Sequence, residues 1–252
     1  MGKQEEFIRE ARRIVTAARE QKLALRLLGA LAFNYHCPRY NYLQEQLGRV
    51  FTDIDFAGRS GDREAIRQLF AGLGYAEDMQ VTILYGAGRL VFNNPRGGWH
   101  SDVFLDKLEF CHDIPLARRL EVDELTIPLA EMLLEKMQIV KINQKDIIDT
   151  IMLLREHEVG AQDTETINGQ LIAELCARDW GLWRTVTMNL EKVNQLLAQF
   201  TALTAADVAD VREKMQILLA YIAGQPKSTA WKLRHKIGAR VKWYKEVDEL
   251  GH

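Results

Sequence analysis

The chain has 252 residues, of which 27% are charged and 47% hydrophobic. This is the composition of a globular protein, and it excludes a disordered or collagen-like chain. The formal net charge is −2, so the total charge favours neither a nucleic-acid nor a membrane partner. The charge is uneven, because residues 226–252 carry a local net charge of +4 and the remainder carries −6.

The cysteines and the hydropathy pattern indicate where the protein resides. Cys37, Cys111 and Cys176 are far apart and form no CxxC pair, which argues against a disulfide framework or a zinc site and favours a reducing cytosol. No uncharged run approaches the roughly 18 residues needed to span a bilayer. The charged, helix-patterned N-terminus does not resemble a secretion signal. We therefore expect a soluble, cytoplasmic protein without a membrane partner.

The first half of the chain predicts a mixture of helices and strands. Apolar residues recur at spacings of three and four in the helical segments and at a spacing of two in the clearest strand. The predicted helices are 5–21, 31–36 and 62–73. The predicted strands are 23–28, 49–56, 89–93 and 99–105, with 108–112 and 120–122 extending the sheet or its edges.

From Thr126 onward the pattern is helical. The predicted helices are 129–140, 144–158, 169–177 (or on to 187), 187–202, 205–223 and a last helix that begins near Ser228. Residues 160–166 are polar and predict a linker. The expected fold is therefore α+β: a mixed sheet flanked by helices in residues 1–125, followed by an all-helical half in residues 126–252.

Asp53 and Asp55 are the most informative residues for function. They flank Ile54 in a predicted strand, so both carboxylates point to the same face. Neighbouring carboxylates repel each other unless a cation or hydrogen-bond donors compensate them, and hard oxygen ligands suit Mg²⁺. A solvated strand face is the alternative for an isolated DxD pattern.

Two further features strengthen the metal hypothesis. Asp102 lies in a second predicted strand, on the polar side together with His100, because Val103 and Leu105 are expected to face the core. Three carboxylates on adjacent strands can bind two Mg²⁺ ions. Gly29 follows a strand and precedes a helix, a geometry that directs backbone N–H groups towards a phosphate.

These motifs resemble those of the nucleotidyltransferase superfamily, which includes DNA polymerase beta and the minimal nucleotidyltransferases. The residues that carry the resemblance are Leu28-Gly29-Ala30, Thr52-Asp53-Ile54-Asp55-Phe56 and Ser101-Asp102-Val103. A downstream Lys136, followed by Lys145-Asp146-Ile147-Ile148-Asp149, is similar to the abortive-infection type of this superfamily. The resemblance covers roughly residues 23–155.

The resemblance implies an enzyme that transfers a nucleotide. It implies a nucleotidyltransferase-like fold, an NTP such as ATP as substrate, and two Mg²⁺ ions held by Asp53, Asp55 and Asp102, which are also the catalytic residues. Gly29, Ala30 and Lys136 would bind the nucleotide. Residues 126–158 would complete the nucleotide site and residues 165–252 would form a helical bundle. The acceptor would bear a hydroxyl group and be a small molecule, a tRNA or a protein.

The chain departs from the family pattern in two places. Ala30 replaces the Ser or Gly of the motif, which leaves only backbone donors for the phosphates. Residues 38–48 form an apparent insertion before Asp53. These departures motivate an alternative, a catalytically inactive nucleotidyltransferase-like binding module. A DxD glycosyltransferase using Mn²⁺ is a third, weaker alternative, since that class lacks the glycine turn and the third aspartate.

Other candidate residues each have a structural alternative. Lys136 can contact phosphate or simply lie on the polar face of an amphipathic helix. His100 and His112 can be ligands or structural residues. The last helix interleaves basic and aromatic residues, which suits a nucleic-acid partner. The alternative is a helix docked by an apolar stripe of Leu233, Ile237, Val241 and Tyr244, with a solvated basic face.

Overall fold

A computed structural model describes residues 3–46, 48–84 and 88–247 and divides the chain into two compact units. The first unit comprises the described residues within Met1–His36, Gly48–Glu109 and Ile114–Pro128. The second comprises those within Cys37–Leu47, Phe110–Asp113 and Leu129–His252. Within the described ranges, no helix combines the length and the apolar character needed to cross a membrane.

The first unit contains a five-stranded mixed sheet. Its strands are β1 (Arg26–Leu28), β2 (Asp53–Gly58), β3 (Ala76–Glu77), β4 (Arg89–Asn93) and β5 (His100–Leu105), in the order β1-β2-β5-β4-β3. Only β2 and β5 pair in parallel within this sheet. Its helices are α1 (Lys3–Glu20), α2 (Gly29–His36), α4 (Arg63–Gly72) and α5 (Met79–Leu84). The predicted mixed sheet flanked by helices is confirmed.

One face of this sheet forms the core of the unit. Ile54, Phe56, Val103, Leu90 and Phe92 alternate along three adjacent strands and are fully or almost fully buried. The ring of Phe70 on α4 stacks on that of Phe92, with 4.1 Å between the centroids. Strand alternation therefore turns the residues between them, including the aspartates, to the opposite face.

The prediction that residues 108–112 and 120–122 extend the sheet is wrong. Strands β6 (Lys107–Glu109) and β7 (Asp113–Pro115) form a separate two-stranded sheet, and residues 120–122 lie in turns and a bend. The cause is Asp106, which adopts a left-handed backbone with φ +66° directly after β5. Its carbonyl accepts hydrogen bonds from the N–H groups of Leu116 and Ala117, so the chain turns away from the strand direction.

The second unit is mainly helical. Its helices are α3 (Tyr42–Gln46), α6 (Leu129–Met137), α7 (Gln144–Glu156), α8 (Gly169–Arg178), α9 (Trp180–Leu196), α10 (Ala205–Gly224) and α11 (Thr229–Ile237). It is not all-helical, because β8 (Glu158–Gly160) and β9 (Thr166–Asn168) pair in parallel at the two ends of the predicted linker. The predicted break at Thr187 is wrong. Asp179 separates α8 from α9, because its carboxylate accepts a hydrogen bond from the Gly181 N–H at 2.7 Å and caps α9.

The predicted docking stripe of α11 is also wrong. Leu233 and Ile237 are 56% and 46% exposed, and Val241 beyond the helix is 55% exposed. The helix is instead held by aromatic residues on its other side. Trp231 Nε1 donates to the carbonyl of Cys176 at 3.0 Å, and Trp180 Nε1 donates to His235 Nδ1 at 3.0 Å. Aromatic contacts and their polar atoms therefore set the rotation of this helix.

Asp207 fixes the start of α10 within the second unit. It forms a reciprocal capping box with Thr204, and its carboxylate accepts a hydrogen bond from Arg155 Nε at 2.7 Å. The hydrogen bond from Arg155, followed by that from Thr204, lowers the pKa of Asp207 to about 2. The ionised carboxylate thus connects α7 to the N-terminus of α10.

We expect Asp207→Asn to lower the free energy of unfolding by about 2 kcal/mol at neutral pH, since it removes the negative charge that strengthens the hydrogen bonds from Arg155 and Thr204. Because the folded pKa is below the unfolded value, the contribution is full above about pH 4 and is lost as the pH falls towards about 2. Urea unfolding at pH 7 and at about pH 2.5 measures this difference. Glu213→Gln, on the exposed side of α10, is the matched control; an equal deficit for Asp207→Asn at both pH values would contradict the assignment.

Candidate active site

Three aspartates lie on one face of two neighbouring parallel strands. In the register of β2 and β5, Asp55 is opposite Asp102 and Asp53 is opposite His100. Strand alternation places all four side chains on the face opposite the apolar core. The phase expected for Asp102 therefore agrees with the observed register. Asp53 and Asp55 are partly exposed, whereas Asp102 is only 3% exposed.

Gly29 forms the turn between β1 and α2, as expected from the sequence. Its φ is +73°, a backbone conformation that residues with a side chain rarely adopt. A Cβ built at this position would lie 2.8 Å from Oδ2 of Asp55. The carboxylate of Asp55 therefore lies against the backbone of this turn, and only glycine leaves room for it. The turn places the N-terminus of α2 and the positive end of its dipole beside the aspartate face.

Asp102 forms an ion pair with Arg89. The guanidinium Nη2 of Arg89 donates to Oδ2 of Asp102, and the two side chains are 19% and 5% exposed. The guanidinium also lies 4.8 Å above the centre of the Phe104 ring. Arg89 begins β4 and is opposite Phe104 in the register, so it occupies the same face as the aspartates. Arg89 was not predicted as a site residue, because no local sequence pattern indicates that β4 pairs with β5.

The two candidate histidines have different surroundings. His100 Nε2 is 4.0 Å from Oδ2 of Asp53, within the range of an ion pair when the imidazole is protonated. His112 belongs to the second unit, where it is buried and its Nε2 shares a hydrogen bond with the Thr185 hydroxyl at 2.8 Å. Burial lowers the pKa of His112. His112 is therefore a packed structural residue, and only His100 lies beside the aspartates.

The aspartate face fits a hard divalent cation in its chemistry. Its donors are carboxylate oxygens, and Oδ1 of Asp102 is buried without a hydrogen bond to any described residue. Within residues 3–46, 48–84 and 88–247, however, no three His, Cys, Asp or Glu side chains are grouped so that they could hold a metal ion. Asp53 and Asp55 are accordingly the first ligands to consider, and Asp102 would join them through Oδ1, because Arg89 binds its Oδ2.

Lys136 lies in the second unit, buried on α6. Its Nζ is 2.7 Å from a carboxylate oxygen of Glu135, 3.5 Å from Asp149 and 3.9 Å from Asp146. Burial alone would lower the pKa of Lys136, but these carboxylates raise it above its usual value. The lysine is therefore charged and its charge is compensated by three acids.

The apparent insertion contributes to the same lysine cluster. Residues 38–48 contain α3, and Gln44 on that helix is 1% exposed. Its side-chain amide donates to Oδ1 of Asp149 at 2.8 Å. The segment is therefore part of the packed second unit, and Gln44 holds one of the acids that face Lys136. This role was not predicted, since nothing in the spacing around Gln44 indicates a partner 105 residues away.

No protein-family model matches this chain, and neither does any curated protein sequence. Among solved structures, the antibiotic-resistance factor ANT(2'')-Ia is similar, with 14% sequence identity and a TM-score of 0.43. The similarity covers 70% of this chain and 96% of that protein. A likeness at this level assigns neither an activity nor a substrate, so these must be argued from the chain's own residues.

We expect Arg89→Met to destabilise the protein by about 3 kcal/mol, because it leaves the buried carboxylate of Asp102 without its partner. The double variant Arg89→Met/Asp102→Asn should recover part of that loss, since it removes the uncompensated charge. Thermal and urea unfolding of both variants, of Asp102→Asn and of wild type complete the double-mutant cycle. Additive effects of the two substitutions would show that the ion pair contributes no coupling.

Proposed function

We propose that this protein is a Mg²⁺-dependent nucleotidyltransferase. It transfers a nucleoside monophosphate from an NTP to a hydroxyl group of an acceptor and releases pyrophosphate. The observation that carries the proposal is the convergence of Asp53, Asp55 and Asp102 on one sheet face beside the turn at Gly29. Three neighbouring carboxylates, one of them almost fully buried, repel each other, so their presence on one face favours a site for a cation.

The carboxylates have distinct roles in this proposal. Asp53 and Asp55 would hold the metal, which neutralises charge on the triphosphate and on the leaving pyrophosphate. Asp102 would complete the ligand set through Oδ1 and accept the proton of the acceptor hydroxyl. The acceptor oxygen forms a bond to the α-phosphorus, and the bond from that phosphorus to the bridging oxygen breaks.

The glycine turn would bind the triphosphate. The N-terminus of α2 begins at Gly29, and N–H groups at a helix start favour a phosphate. Ala30 has no hydroxyl, so this contact would be made by the backbone alone. The assignment of Lys136 to the nucleotide phosphates rests on the family resemblance and stays a prediction.

A second candidate function is a nucleotidyltransferase-like binding module without catalysis. The ion pair of Asp102 with Arg89 favours it, because this pair gives the third carboxylate a cation other than a metal. Ala30 and the altered segment before Asp53 point in the same direction. A protein of this kind would keep the sheet and the glycine turn but would have no use for Mg²⁺.

We expect Asp53→Ala and Asp55→Ala each to reduce nucleotide transfer by at least about 100-fold, since loss of a metal ligand removes several kcal/mol of transition-state stabilisation. The assay incubates the purified protein with each labelled NTP, Mg²⁺ and a cell extract, and then identifies the labelled fraction. Glu20→Gln, an exposed acid on α1, should retain full activity. Wild-type activity in folded Asp53→Ala protein would sink the proposed mechanism.

Calorimetry separates the active enzyme from the binding module. We expect Mg²⁺-dependent binding of at least one of ATP, GTP, CTP and UTP, because the carboxylates need a cation before they can accept a triphosphate. Asp55→Asn should weaken this binding. Absence of Mg²⁺-dependent binding for all four nucleotides would favour the inactive module.

A further inference from the structure

The outward face of α11 and the turn after it form an exposed basic and apolar patch in the second unit. Leu233, Ile237 and Val241 recur every four residues and are about half exposed. Lys232, Lys236 and Arg240 recur with the same spacing and are also exposed. On α11 the two rows run side by side, because adjacent residues on a helix are about 100° apart; Arg240 and Val241 follow in the turn after Gly238. We call these six residues the outward patch.

The aliphatic row does not form the docked side of α11. The inward side of α11 is formed by Trp231 and His235, whose rings stack with 5.3 Å between their centroids, and by Arg234, which lies 4.3 Å above the Trp180 ring. Trp231 and Trp180 also make the hydrogen bonds that hold the helix. The helix is therefore docked without its aliphatic side chains, which are left facing solvent.

The segment that carries the patch is basic. Residues 226–245 contain seven Lys or Arg and no Asp or Glu. Four of these cations are used locally: Lys227 and Arg234 donate to backbone carbonyls, and Lys242 and Lys245 pair with Glu246 and Asp113. Lys232, Lys236 and Arg240 make no ion pair with a described residue, so their charge is available to a partner.

We infer that the outward patch binds an anionic lipid surface reversibly. Cations beside an exposed aliphatic row are the pattern of a helix that lies in the interface plane, with its apolar side chains among the acyl chains and its cations near the headgroups. The binding is peripheral, and it is compatible with a chain whose described helices do not cross a membrane. It does not depend on the proposed nucleotidyl transfer.

Charge and side-chain type favour lipid over two other occupants. A second copy of the chain would bring Lys232, Lys236 and Arg240 against their own counterparts, which is unfavourable. Single-stranded nucleic acid is bound by cations together with aromatic rings on which the bases stack. Here Trp180, Trp183 and Trp231 contact one another or His235, and the outward row is aliphatic. A lipid surface complements both rows, because its anionic headgroups attract the cations and its acyl chains accommodate the aliphatic side chains.

The test is sedimentation of the full chain with lipid vesicles. Vesicles of phosphatidylcholine with phosphatidylglycerol should bind the protein at least about tenfold better than vesicles of phosphatidylcholine alone, since each surface cation strengthens binding to anionic lipid. High salt should weaken this binding. Equal binding to the two vesicle types, or no binding to either at low salt, would overturn the proposal.

Paired variants test the two rows separately. Lys232→Glu/Lys236→Glu and Leu233→Gln/Ile237→Gln should each abolish the preference for anionic vesicles. Arg118→Glu and Ile83→Gln, at exposed positions of the first unit, are the charge and apolar controls and should bind like wild type. Circular dichroism should show the same helix content for all variants, because every substituted side chain is exposed.

The apolar variant also decides between lipid and nucleic acid. If Leu233→Gln/Ile237→Gln bound anionic vesicles like wild type, the aliphatic row would have no part in binding and the proposal would be wrong. If a single-stranded RNA homopolymer bound wild type and this variant equally, while anionic vesicles bound neither, the patch would be a nucleic-acid surface. Loss of vesicle binding in both paired variants, with both controls intact, supports the lipid assignment.

Discussion

The first unit is organised around the need to compensate three carboxylates on one sheet face. Asp53 and Asp55 alternate with core residues along β2, and the parallel register brings Asp102 opposite Asp55. Like charges at this spacing repel each other unless opposite charge or hydrogen-bond donors are supplied. Around them lie the guanidinium of Arg89 and the turn at Gly29. The same requirement makes this face suitable for a cation and a triphosphate, and it links the stability of the sheet to the proposed chemistry.

The second unit compensates buried charge in a different way. The buried ammonium of Lys136 is surrounded by three acids on two successive helices, and α3 contributes an amide to one of them. Removing a member of such a cluster is costly, because the remaining charge is left in a region that excludes water. A segment that looks like an insertion in the sequence is therefore needed to complete this helical unit.

Local patterns predicted most of the secondary structure correctly. The strand 89–93 was predicted with its observed bounds, and α4, α8 and α10 lie within about two residues of their predicted limits. The errors occurred where a single residue redirected the chain. The left-handed backbone of Asp106 ends the main sheet, and the carboxylate of Asp179 begins a new helix. Hydrophobic periodicity does not detect such positions, because they depend on one φ angle or one hydrogen bond.

The candidate site was partly visible in the sequence for a definite reason. Strand alternation is a local property, so the spacing of Asp53 and Asp55 determines that they share a face, and the apolar residues around Asp102 determine its phase. The position of Gly29 between a strand and a helix is equally local. These features, together with the α+β class, were determined by the sequence alone.

Only the tertiary structure decided which groups meet these residues. Arg89 meets Asp102 through strand pairing, and Gln44 meets Asp149 although the two are far apart in the chain. The outward position of Leu233 and Ile237 depends on which face of α11 finds a packing partner. In α11, the docked face is formed by aromatic residues whose ring N–H groups need hydrogen-bond acceptors, and not by the aliphatic row. Such outcomes follow from competition between contacts, and a one-dimensional pattern contains no information about which contact wins.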